Sequence, residues 1–287
     1  MHRTVRSVLA ATIVACAGLA AVAVGTGAAP APEQVGLQQL AEQRANTLVT
    51  IKFILKSPEG EQEEEASGVL ISGEGLVLSS NFSLGGGPFG GDANPTEIKV
   101  LVGEDTQGVD ATFIARDTEL GLAWVRIDKA PPTPYAFVDF KDNATVAVGD
   151  RLLSVQKLGK FFGLANWVAE TSVGALPTKP RSLIIPSGTA IAGELAVPVY
   201  NGAGKAVGIT TFVLPDEEEM KDARQSLMRV AQLGMILPAA DVVTATTNAM
   251  EQAKNAPKVE EKPADAKPGE APKAGEKPAE PAPGAPK

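Results

Sequence analysis

Residues 47–56 alternate in character, with Val49, Ile51, Phe53 and Leu55 on one side and Thr50, Lys52 and Lys56 on the other. That period of two predicts a half-buried strand. Two short apolar runs, at 69–71 and 76–79, flank Ser72-Gly73-Glu74-Gly75 and predict a tight hairpin. Strand-like runs recur at 97–102, 109–115 and 122–127. After a Pro-rich crossover at 131–134 they resume at 151–155, 169–175, 182–185, 197–200, 206–212 and 235–237. Short strands at this spacing, with Gly and Pro between them, predict an all-β barrel or sandwich. The period turns helical in three places. Residues 35–46 carry Leu37, Leu40 and Ala41 on one side, and 215–233 repeat Met220, Ala223, Leu227 and Val230 behind an acidic first turn. Residues 239–254 form a closing helix with Val242, Val243, Ala249 and Met250 as its apolar side. The acidic stretch 59–65 reads as a solvated loop, and the glycines at 85–91 as a flexible one.

Both ends of the chain differ from this middle. Arg3 and Arg6 precede a charge-free apolar run from Val8 to about Ala29, the pattern of an export signal over residues 1–29. Two variants stay open. Ile13-Val14-Ala15-Cys16 fits a lipobox in which Cys16 would be lipidated, and the run is also long enough for an uncleaved anchor. Residues 253–287 are almost wholly Pro, Ala, Lys, Glu and Gly, a composition that cannot bury enough surface to offset ordering and predicts a disordered tail. Residues 30–252 are left as the folded domain.

Composition narrows the chemistry. The chain is 44% apolar, enough for a substantial core, and Lys+Arg 26 against Asp+Glu 34 gives a net charge of -8. No basic cluster stands out, which argues against nucleic acid as a partner. Cys16 is the only cysteine and His2 the only histidine, both inside the expected export signal. The folded domain therefore holds no imidazole and no thiol. That removes the commonest general base, the commonest zinc ligand and any Cys–His dyad, so no metal or other cofactor is expected.

Three segments resemble the HtrA/DegP-type, trypsin-like serine proteases. The first is Ser67-Gly68-Val69-Leu70-Ile71 with Gly75-Leu76-Val77-Leu78-Ser79-Ser80-Asn81-Phe82, against a family hairpin that ends in the catalytic histidine. The second is Arg116-Asp117-Thr118-Glu119-Leu120-Gly121-Leu122-Ala123, where the family has its aspartate before Leu-Ala. The third is Gly193-Glu194-Leu195-Ala196-Val197-Pro198, running on to Asn201, Gly204 and Gly208-Ile209, against G-N-S-G-G-P and the strand pair behind it. A weaker match is Gly234-Met235-Ile236-Leu237-Pro238-Ala239. The resemblance implies an all-β fold of two six-stranded barrels with a C-terminal helix, plus an inserted amphipathic helix at 215–233.

It also implies what is missing. The histidine, aspartate and serine positions fall on Phe82, Gly121 and Leu195, none of which can fill the triad's roles. In the oxyanion loop, Gly193 is kept while Glu194, Ala196 and Val197 replace Asn, Gly and Gly. The lost glycines matter where the backbone needs unusual angles. A stand-in nucleophile would have to come from Ser79, Ser80 or Ser187, and none has a Ser-x-x-Lys spacing. Asp117 and Glu119 are the nearest carboxylates, read as turn solvation rather than as an acid pair. The expectation is thus a pseudoprotease, exported to the periplasm, the cell envelope or the medium, with a peptide- or protein-binding or scaffolding role. Membrane contact is expected only through the N-terminal signal, anchor or lipid. An atypical serine hydrolase and a purely structural envelope protein are the alternatives.

Overall fold

Alternation along the first half of the chain builds one barrel. The computed structural model describes residues 35–57, 60–86, 94–191, 193–212 and 234–255. Strands β1 (Leu48–Ser57), β2 (Gly60–Leu70), β3 (Leu76–Ser80), β4 (Thr96–Val102), β5 (Val109–Asp117) and β6 (Leu122–Ile127) close in the order β1-β2-β3-β6-β5-β4. The predicted hairpin is β2–β3, in the register Gly68↔Ser79, Val69↔Leu78, Leu70↔Val77. Ile51, Phe53, Leu70, Val77, Val100 and Val125 fill the interior of this barrel.

The second half repeats the design. Strands β7 (Arg151–Lys157), β8 (Asn166–Ala175), β9 (Ile185–Pro186), β10 (Pro198–Asn201), β11 (Ala206–Thr211) and β12 (Met235–Pro238) form a sheet ordered β12-β11-β10-β7-β8-β9. Its two ends meet where Ile184 and Ile236 exchange backbone hydrogen bonds at 2.9 and 3.0 Å, so this sheet also curls into a near-closed barrel. Leu152, Val173, Ile191, Val199, Val207 and Ile236 lie inside it.

The strands that face each other across the two barrels are apolar on both sides. Leu122 and Trp124 of β6, Leu153 and Val155 of β7, and Ile209 of β11 build a third core along the seam, while their neighbours Ala123, Val125 and Leu152 point into the barrels. A strand buried on both faces reads as a continuous apolar run, as Leu122-Ala123-Trp124-Val125 does. Helix α1 (Leu37–Arg44) sits on the second barrel, with Arg44 donating to the Gly204 carbonyl and lying over the Tyr200 ring. Helix α2 (Ala239–Asn255) adds Val242, Ala245 and Ala249 to the seam, and its Thr246 accepts a hydrogen bond from the Trp124 indole at 3.1 Å. It runs past residue 252 before the described chain ends.

One expectation is overturned. The acidic stretch expected as a loop is, from Gly60 onward, the outer half of β2, paired residue for residue with β1. Cross-strand partners explain it: Lys56 meets Glu61 at 3.1 Å and Lys52 meets Glu65 at 3.8 Å. Opposite charges across a ladder offset the weak strand preference of glutamate. The inserted helix at 215–233, the export signal with Cys16, and most of the tail fall outside the described residues.

Candidate functional site

Three turns meet at one end of the seam. The first follows β3. Asn81 donates its backbone N–H to the Gly121 carbonyl at 2.9 Å, and the chain then makes a tight turn closed by Gly85 N–H to Phe82 O at 3.2 Å. Phe82 is half-buried there, its ring edge-on to that of Phe212 with centroids 6.0 Å apart.

The second turn joins β5 to β6. The Asp117 carboxylate accepts from Leu120 N–H at 2.9 Å and fixes the turn. Leu120 gives its carbonyl to the Thr211 hydroxyl, a bond that ties the first barrel to the second. Gly121 is buried with φ +66, and a Cβ placed on it would stand 3.0 Å from the Phe212 carbonyl oxygen.

The third is the loop before β10, held along Thr210. The Thr210 hydroxyl donates to Glu194 O at 2.8 Å and accepts from Val197 N–H at 2.9 Å, while its backbone pairs with Ala196 N–H and Val197 O. Within this clamp Gly193 has φ +96 and Ala196, despite its Cβ, has φ +60. The left-handed backbone is thus kept at Ala196 without a glycine. Such a residue costs on the order of 1–3 kcal/mol and persists only where its surroundings over-determine it.

Phe82 and Leu195 line the same cleft of about 270 Å³, together with Glu194, Ile191, Phe212 and Met235. Gly121 lies directly behind Phe212. The three positions singled out in the sequence are therefore brought together, and Gly193 and Glu194 stand beside them. Glu194 also borders a second groove of about 230 Å³ between the barrels, shared with Glu65 and Lys157. Burial pushes the Glu194 carboxyl above the usual carboxylate range and the Lys157 amine below the usual lysine range.

The other candidates are engaged in structure. Ser79 and Ser80 are buried, the former donating to the Ser67 carbonyl at 2.7 Å. Ser187 pairs with the Ser172 hydroxyl at 2.8 Å, on the β8–β9 side of the second barrel. Asp117 is the turn brace just described, and Glu119 meets Arg181 at 3.6 Å on the surface. Three residues that matter to the cleft were not singled out from sequence: Phe212, Thr210 and Thr211. Their one signal is position, directly after the Gly208-Ile209 pair that the resemblance had already placed.

With the geometry in place, comparison with known proteins decides the family. A model of the trypsin-like peptidase domain matches residues 66–209, from β2 through β11. The chain belongs to the trypsin-like peptidase domain family. It is also similar to a probable periplasmic serine endoprotease, DegP-like, from Rickettsia conorii, at 25% identity over 158 residues. That match covers 51% of this chain and 28% of the relative. In this trypsin-like domain the cleft lies where the hairpin, the β5–β6 turn and the loop before β10 converge, and its lining is largely apolar.

Proposed function

We propose that this chain is a pseudoprotease, a trypsin-like domain whose cleft binds a peptide or protein segment without cutting it. The observation that carries this reading is that Phe82 and Leu195 line one cleft. Peptide-bond attack at such a cleft needs an oxygen nucleophile, a nitrogen base and an acid to orient the base. Carbon side chains stand at the first two places and Gly121 at the third. Glu194 adds an acidic group beside a site where an active enzyme must stabilise an oxyanion, which opposes that chemistry. The engaged states of Ser79, Ser80 and Ser187 weigh against an atypical hydrolase. We place the protein in the cell envelope or outside the cell, on the strength of its N-terminal apolar run and of a relative described as periplasmic.

Two measurements on the full chain test the proposal. A fluorophosphonate probe and casein should give no serine labelling and no cleavage; stoichiometric labelling of one serine would establish the hydrolase instead. Titration with a library of extended apolar peptides should give binding that Leu195→Asp and Phe82→Asp abolish. Absence of binding by any peptide would favour the structural envelope role.

A further inference from the structure

The hairpin between β7 and β8 carries exposed apolar side chains at its tip. Its ladder runs from Arg151↔Ser172 to Lys157↔Asn166, is extended by Leu158 N–H to Ala165 O at 2.9 Å, and closes in a short 3-10 turn at Lys160–Phe162. The tip is thus built, not loose. Yet Phe161 is 93% exposed, Phe162 61%, and Leu164 and Trp167 are about as exposed as each other at 42% and 40%. The two phenylalanine rings touch only edge to face, at 5.0 Å between centroids. Single exposed apolar residues need no explanation, but Phe161 and Phe162 in ring contact on one turn, with Trp167 exposed at the start of β8, mark an interaction surface, while Leu164 also borders the groove between the barrels.

We infer that this tip inserts into the interface of a phospholipid bilayer. An exposed aromatic turn needs a medium that yields around it, whereas a groove would suit a peptide. Exposed Phe161 and Phe162 on the turn and Trp167 at the start of β8 match the boundary between headgroups and acyl chains, where aromatic rings concentrate. Charge agrees: between Arg151 and Glu170 the chain carries Lys157 and Lys160 and no acid, on a protein of net charge -8. Lys157 is turned to the Gly103 carbonyl at 3.3 Å. The contact adds to any made by the N-terminal apolar run.

The chain's two tryptophans make the test local. Trp124 is fully buried in the seam, so a lipid-dependent change in emission reports on Trp167 at the tip. The full chain is mixed with vesicles of phosphatidylethanolamine and phosphatidylglycerol carrying brominated acyl chains. Quenching and a blue shift are expected, absent from Trp167→Phe. The pair Phe161→Ala with Phe162→Ala should weaken the partitioning read at Trp167 by about tenfold or more, the order expected for two buried aromatic side chains. Co-sedimentation is not the readout, because the apolar N-terminal run binds lipid as well. No quenching, or quenching unchanged in the double variant, would overturn the inference. So would self-association in lipid-free buffer that the double variant abolishes, which would assign the tip to a second copy. Because the replaced rings are solvent-exposed, near-ultraviolet circular dichroism from Trp124 should be unchanged and verifies folding.

Discussion

The Phe82 ring stands edge-on to that of Phe212, 6.0 Å between centroids and 81° between planes, where the turn after β3 meets the end of β11. An apolar bridge therefore spans the two barrels at the mouth of the cleft. Both rings are only half-buried, so the contact helps to shape an open cleft and does not fill it. Phe82→Ala should lower unfolding free energy by about 1–2 kcal/mol, the sum of a partial burial and one aromatic pair. Chemical denaturation measures it. A loss above about 4 kcal/mol would mean that the ring is core.

On the proposed reading, placing His, Asp and Ser at positions 82, 121 and 195 should not create an enzyme. Gly121 is the obstacle, because at φ +66 a side chain is strained and its Cβ would press on the Phe212 carbonyl at 3.0 Å. Gly103 has nearly the same angle, φ +65, with open space around it, and provides the control. Gly103→Ala should cost about 1 kcal/mol, the conformational penalty alone. Gly121→Ala should cost about 2–3 kcal/mol, the difference being the steric contact. Equal losses at the two sites would show that the second barrel gives way freely. The triple variant Phe82→His, Gly121→Asp, Leu195→Ser should remain inactive towards casein.

Gly208 tests the closure of the second barrel. A Cβ there would fall 2.1 Å from the Leu237 carbonyl oxygen and 2.8 Å from Ile236 Cγ2, on the strand that completes the barrel. Gly208→Ala should lose about 3 kcal/mol or more, since backbone oxygen cannot step aside as a side chain can. A thermal melt within a degree or two of the parent would show that β11 and β12 separate readily.

Gly208 also shows how far the sequence could be read. Its place in a Gly-Ile pair inside the strand-like run 206–212 was visible, and the structure supplies the cause in the close approach of β12. The β2–β3 hairpin and the seam strand β6 were legible because their apolar spacing is dictated by burial. Glu61, Glu63, Glu64 and Glu65 were not, since nothing local favours a strand there and the decision is made by ten paired residues of β1. The same holds at the cleft. Phe82, Gly121 and Leu195 could be located by pattern, whereas Phe212 and the Thr210 clamp act through contacts between segments far apart in the chain. Phe161 and Phe162 gave no periodic signal at all, because a solvent-exposed turn has no period to show.

Glu194 makes the cleft sensitive to pH, and the sign follows from its burial. Its carboxyl titrates above the ordinary glutamate range because the charged form loses solvation between the two grooves that it borders. The folded state thus holds this proton more tightly than the unfolded state does. The resulting stability is fully present below the unfolded pKa, about 4.3 for glutamate, and is lost as pH rises through the folded value. As pH rises through the folded value the parent comes to carry a half-buried carboxylate, whereas Glu194→Gln keeps the shape and the carbonyl bond from Thr210 without the charge. Glu194→Gln should therefore be more stable than the parent at neutral pH, with the advantage shrinking to nothing as pH falls below the glutamate range. Denaturant midpoints of both proteins across that window measure the difference. An advantage that stays constant with pH would show that the amide gains from packing and that the carboxyl is not held protonated by burial.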